Sequence, residues 1–203
     1  MKFGGSAIVV LAFLVAPPHP ALNAVGGSGA SNETLQILDA SIAVQCPLTV
    51  GGSFDVKSDS LTGNLALEAN EGGVVAGEVA VDLRTLQTGI ALRDNHMRDK
   101  YLEVHRGDSF EVATLGQIRL DGIDPVTLAG KTTFRGVLTL HGQARDVTGT
   151  ADIRRVDRTL RVHAAFPLKV SDFGIPNPTY LGVGVRNEVM VAVNLKVAPT
   201  SLP

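Results

Sequence analysis

From residue 63 to residue 197 the apolar side chains recur at every second position, stretch after stretch. In GNLALE, Leu65 and Leu67 share one face while Asn64, Ala66 and Glu68 take the other. In GEVAVDL, Val79, Val81 and Leu83 oppose Glu78, Ala80 and Asp82. GQIRLDG sets Ile118 and Leu120 against Gln117, Arg119 and Asp121, and GVLTLHG sets Leu138 and Leu140 against Thr139 and His141. In TLRVHAAFPL the apolar side is Leu160, Val162, Ala164 and Phe166. The longest run carries Val189, Val191, Val193, Leu195 and Val197, with Asn194 and Lys196 behind them. A period of two describes a strand with one face on a core and the other in water. Turn formers such as Glu71-Gly72-Gly73 and Asp121-Gly122 separate the runs. With weaker strands near residues 42–44 and 147–153, the count reaches about eight. Evenly spaced antiparallel strands fold as a sandwich or a closed barrel, and the pattern alone does not choose between them.

One stretch breaks the period. Leu86, Ile90, Met97, Tyr101 and Val104 recur near helical intervals, with Thr88-Gly89 placed to start a helix and Gly107-Asp108 to end it. This predicts one short helix over about residues 89–104 in an otherwise all-β domain. The same stretch, LRDNHMRDKYLEV, concentrates Arg93, Asp94, His96, Arg98, Asp99, Lys100 and Glu103. On a helix, Arg93 and His96 share a face on adjacent turns, and Asp94 lies about a quarter turn away. The expected role of this polar cluster is to bond loop backbone and fix the helix across one end of the domain. The alternative is that it flanks an opening and meets the polar part of a ligand.

Composition and charge narrow the partners. A length of 203 residues favours one domain. The net charge is -2 and Lys and Arg nowhere cluster, which excludes nucleic acid as a partner because phosphate binding needs a basic face. Aromatics are 4% of the chain and Trp is absent, so there is no stacking platform for single strands. Lys2, an apolar run over residues 7–16 and Pro17-Pro18 have the layout of a secretory signal peptide. Leu22-Asn23-Ala24 offers cleavage after residue 24, and Ser28-Gly29-Ala30 offers it as late as residue 30. The run is too short to span a bilayer. Periplasmic or secreted localisation is therefore expected, without stable membrane insertion. Residues 25–34 read as a flexible lead-in, 35–198 as the domain and 199–203 as a tail. Cys46 is the only cysteine, so no intrachain disulfide forms, and it is expected to act as a small buried hydrophobe.

Other chemistry is weak. Gly130-Lys131-Thr132 lacks the first glycine of a phosphate-binding loop, where Pro125 stands. Gly52-Ser53-Phe54 lacks the last glycine of a nucleophile elbow, where Asp55 stands. His96, His105, His141 and His163 do not pair at ligand spacing, and His141 and His163 are expected to point outward from strands. No acid–base couple stands out. The reading therefore names no catalytic residue, no metal and no cofactor.

Several segments together carry a resemblance. LRTLQTG, RDNHM, GVLTLHG, FPLKVSDFGI and VGVRNEVMVAVNL follow one another in this order. The chain resembles the YceI-like lipid- and polyisoprenoid-binding family over most of residues 37–197, most specifically in Thr88-Gly89…Arg93-Asp94-x-His96 and in G-x-L-T-L-H-G. It departs where the family usually has an aromatic pair, here Tyr101-Leu102, and where the first strand commonly carries a histidine, here Gln45-Cys46-Pro47. The resemblance implies an eight-stranded antiparallel, lipocalin-like barrel with a lipid chain in its apolar interior. On that fold the apolar face becomes the interior, and the expected lining is Val79, Val81, Ile118, Leu138, Leu140, Val162, Val191 and Val193. Arg93, Asp94 and His96 then form a polar cluster at the barrel end. The expected function is an exported, non-enzymatic carrier for a lipid or polyisoprenoid, such as a quinone-like polyisoprenoid or a fatty amide, with a homodimer left open. Two alternatives stand beside it: an exported hydrolase or isomerase using His96 and Asp94, and a ligand-free interaction protein with a packed barrel.

Overall fold

The long alternating runs become the staves of a closed antiparallel barrel in the computed structural model, which describes residues 33–68, 74–123, 128–180 and 182–200. The expected leader over residues 1–24 lies outside the described residues. The strands are β1 (Glu33–Pro47), β2 (Ser53–Ser58), β3 (Leu61–Leu67), β4 (Val74–Asp82), β5 (Val112–Asp121), β6 (Gly130–Leu140), β7 (Gln143–Val156) and β8 (Thr159–Lys169). Two short pieces, β9 (Thr179–Tyr180) and β10 (Val183–Gly184), precede β11 (Glu188–Pro199). β1 starts two residues inside the expected lead-in, and β11 runs one residue into the expected tail.

Closure comes from β1 pairing with β11, from Leu35↔Pro199 to Gln45↔Met190. The other edge of β1 is shared. Its upper half pairs with β2 (Ile42↔Ser58) and its lower end with β3 (Leu35↔Leu65), in one register. β2 and β3 are therefore one stave broken at Asp59-Ser60, and the barrel has eight. The break is held locally: the Ser58 hydroxyl accepts from Ser60 N–H at 3.0 Å and shares a 2.6 Å hydrogen bond with Thr85 Oγ1.

Two bulges bend the wall, between Val75 and Glu78 in β4 and between Gly116 and Arg119 in β5. Gly77 in the first has φ +94, and any Cβ there would run into the backbone of Asn64 on β3. Gly149 serves packing: a Cβ would strike the Ala165 carbonyl and the pair Phe134–Phe166, which meet edge to face at 5.8 Å.

The crossing from β4 to β5 covers one end of the barrel. It opens with a 3-10 turn (Leu83–Thr85), capped by the Asp82 carboxylate accepting from Arg84 N–H at 2.9 Å. Helix α1 (Ala91–His96) follows and widens into a π turn (Met97–Tyr101), where Leu102 N–H reaches back to Met97 C=O. The helix expected over 89–104 thus ends early. Glu103 adopts a left-handed conformation (φ 51) that breaks the spiral before a separate 3-10 turn (Val104–Arg106) and the short α2 (Asp108–Glu111).

His141 corrects a second expectation. It is buried. It sits in the tight turn His141-Gly142 between β6 and β7, both at positive φ, where the strand alternation has stopped. Its ring meets Phe110 edge-on at 4.5 Å, Nδ1 lies 3.1 Å from Phe173 C=O and Nε2 3.0 Å from Glu103 Oε2. His163 does point outward, with Nδ1 2.8 Å from Asn194 Oδ1.

Candidate functional site

The barrel is hollow. Its inner faces enclose a cavity of about 740 Å3, lined almost wholly by aliphatic side chains from the barrel strands and the helical crossing. Protein interiors pack to crystal density and leave few voids larger than a water molecule, so an apolar space of this size is a feature to be explained. It falls in the roughly 300–1,000 Å3 range of small-molecule sites.

Each lining residue taken from the alternation lies on this wall. Val79 and Val81 come from β4, Ile118 from β5, Leu138 and Leu140 from β6, Val162 from β8, and Val191 and Val193 from β11. Val79, Ile118, Val162 and Val193 face inward yet are only half-buried, because the cavity itself leaves their surfaces open.

The mouth is defined by exposure. The exposed wall residues Ile90, Leu92, His96, Thr179 and Val183 all belong to the α1 crossing or the β9–β10 segment. Tyr101 ties these two rims together. Its hydroxyl donates to Thr179 C=O at 3.3 Å and accepts from Thr179 N–H at 3.2 Å. β10 is joined to the β1–β2 turn in the same manner, with Thr49 N–H donating to Gly184 C=O at 2.8 Å and Gly184 N–H to Thr49 Oγ1 at 3.0 Å.

The polar cluster of α1 divides in two. Arg93 and His96 line the cavity, three residues apart on one helical face. The Arg93 guanidinium sits over the Phe54 ring, 4.2 Å from its centroid. Asp94 is buried and absent from the wall. Its Oδ1 accepts from the Thr88 N–H at 2.7 Å and the Thr88 hydroxyl at 2.6 Å. Arg98 steadies the same helix from outside, donating to Asp94 C=O at 3.2 Å and Arg84 C=O at 2.8 Å.

Sequence reasoning overlooked several wall residues. Phe54 and Val56 follow the same alternation in SFDVKS, which was readable but short. Met97 and Tyr101, recognised only as a helical stripe, turn that stripe to the mouth. Cys46 is buried on the wall, its Sγ 3.7 Å from Val44 C=O. Burial foremost, and then the Asp55 carboxylate, push its thiol up to about 11, with Arg93 pulling weakly the other way. Among the described residues no three His, Cys, Asp or Glu side chains converge as a metal site requires, and no helix is long and apolar enough to cross a membrane.

The model of the YceI-like domain matches residues 35–197. The chain belongs to the YceI-like family. Solved structures share the fold at low identity. BcnA of Burkholderia cenocepacia superposes with a TM-score of 0.63 at 15% identity, over 77% of this chain and 95% of its own. A polyisoprenoid-binding domain from Saccharophagus degradans, implicated in plant cell wall breakdown, gives 0.60 at 17%, over 81% and 98%. The Campylobacter jejuni YceI protein gives 0.55 at 16%, over 72% and 85%. No curated protein matches the sequence. Among YceI-like structures the present barrel is thus similar in fold and distant in sequence.

Proposed function

We propose that this YceI-like protein is an exported, non-catalytic binding protein that holds a long-chain amphiphile, of the polyisoprenoid or fatty type, inside its barrel. The hollow apolar interior with one rimmed mouth is the observation that carries the reading. Each methylene moved from water into such a space contributes about 0.8 kcal/mol, so a long chain binds without precise polar anchors. Much of this gain is offset by ordering the ligand, which leaves chain length and width as the main discriminators. The polyisoprenoid-binding relative from Saccharophagus degradans supports the same ligand class.

The wall offers little to a catalytic reading. Asp94 is turned into Thr88, no carboxylate lines the cavity among the described residues, and the Cys46 thiol is held protonated. Export is supported by Lys2, the apolar run over residues 7–16 and the small residues at Leu22-Asn23-Ala24.

Two mass measurements test the proposal. Organic extraction of protein purified from its native cell envelope should release a long-chain lipid in stoichiometric amount, and an empty extract together with failure to take up added lipid would refute it. The intact mass of the same material should lack the first 24 to 30 residues. Retention of Met1 or Lys2 there would remove the export claim.

A further inference from the structure

We propose that the head group this cavity selects is an oxyanion, a carboxylate or a phosphate monoester on a single long chain, held at the mouth by Arg93. The inference rests on the amphiphile-binding reading above and narrows it. Among the described residues lining the cavity, Arg93 and His96 are the only basic side chains, and no Asp, Glu or Lys accompanies them. Both stand on one face of α1 where the wall meets solvent.

Three carboxylates of the crossing and of β2 have other partners. Asp94 Oδ1 faces the two donors of Thr88. Asp55, exposed on β2, lies 3.5 Å from Lys57. Glu103 is held by Arg106 at 2.8 Å and lies 3.0 Å from His141 Nε2. Arg93 instead packs over Phe54, and a ring face is not a conventional hydrogen-bond acceptor, so the contact leaves the guanidinium fork free to donate to a ligand.

The ligand completes the argument. A guanidinium on an apolar wall is satisfied by water while the mouth is open. An amphiphile whose tail fills the cavity displaces that water from the mouth. A hydroxyl or amide head returns at most neutral acceptors, whereas an oxyanion returns charge-assisted, bidentate hydrogen bonds. The site therefore discriminates by head charge as well as by chain.

The test uses amphiphiles of equal chain length against the purified protein at about pH 8, where a fatty carboxylate is ionised. Hexadecanoate, hexadecyl phosphate, hexadecanol and hexadecanamide each compete with bound N-phenyl-1-naphthylamine, an uncharged fluorophore. At least one anion should bind roughly tenfold or more tightly than the alcohol and the amide. Arg93→Gln should bring that preference to within about twofold, with hexadecanol still displacing the fluorophore as the report that the barrel is intact. Arg93→Lys should keep part of the preference, because charge remains without the fork. Equal affinity for charged and neutral heads, or a preference that survives Arg93→Gln, would overturn the assignment and leave lipid binding standing. Failure of all four amphiphiles, the alcohol included, to displace the fluorophore would remove the binding reading and this inference with it.

Discussion

One carboxylate oxygen, Oδ1 of Asp94, accepts both donors of Thr88, its N–H at 2.7 Å and its hydroxyl at 2.6 Å. The bond closes residues 88–94 into a loop at the start of α1. Ile90, which stands at the helix N-cap, has no side chain able to cap it, and Asp94 reaches back from inside the helix to fix the entering strand instead. Thr88 lies on the cavity wall and Asp94 behind it, so this pair sets the angle at which Arg93 and His96 meet the mouth.

Asp94→Ala leaves both Thr88 donors without their partner and should cost about 1–3 kcal/mol in urea unfolding. Asp94→Asn keeps a carbonyl acceptor and should lose less. His96→Ala, at an exposed position, should lower stability only modestly and by less than Asp94→Ala. A cost for His96→Ala as large as that for Asp94→Ala would mean that the helix is anchored otherwise.

The Tyr101 hydroxyl bonds the α1 crossing to β9 through both backbone groups of Thr179. Tyr101→Phe should speed release of a bound fluorescent fatty acid in stopped-flow mixing. The unfolding midpoint should move little, since an exposed hydrogen bond nets about 0.5–1.5 kcal/mol. An unchanged release rate would place the exchange route elsewhere.

Strand faces were legible in the sequence because alternation is a local property. Val79 and Val81 turn inward for the same reason that Glu78 turns out, and at the β5 bulge the inward set steps from Ala113 and Leu115 to Ile118 and Leu120. His141 was not legible, because it lies one residue beyond the strand, where the turn and the distant Phe110, Phe173 and Glu103 decide its direction. The end of the helix depended on the left-handed turn at Glu103, which no residue pattern announces. Whether the barrel is filled or hollow depends on side-chain volume summed around all eight staves. A packed and an empty barrel share one alternation, so only the assembled wall distinguishes them.

Cys46 should be chemically quiet. At about pH 8 a thiol at its ordinary 9.0 is roughly one-tenth thiolate, and one at about 11 roughly one-thousandth, so alkylation by iodoacetamide should run about 100-fold slower in the folded than in the urea-unfolded protein. Burial favours the neutral thiol, so its contribution to stability is whole below about pH 9 and is lost as pH rises from there towards 11. Equal alkylation rates in the folded and unfolded states would show the thiol to be exposed.

Filling the interior tests the central claim most directly. Val81 and Leu140 face the cavity from β4 and β6, while Thr139 lies on the opposite face of β6 and does not touch it. Uptake of a tritiated hexadecyl lipid and the denaturant midpoint are to be measured together for Val81→Phe, Leu140→Phe and the control Thr139→Phe. The account predicts that the two inward variants lose uptake with little change in midpoint, and that the control keeps uptake. Destabilisation of the inward variants by about 1–3 kcal/mol, as overpacking a filled core produces, with no lipid taken up even by the parent protein, would contradict it.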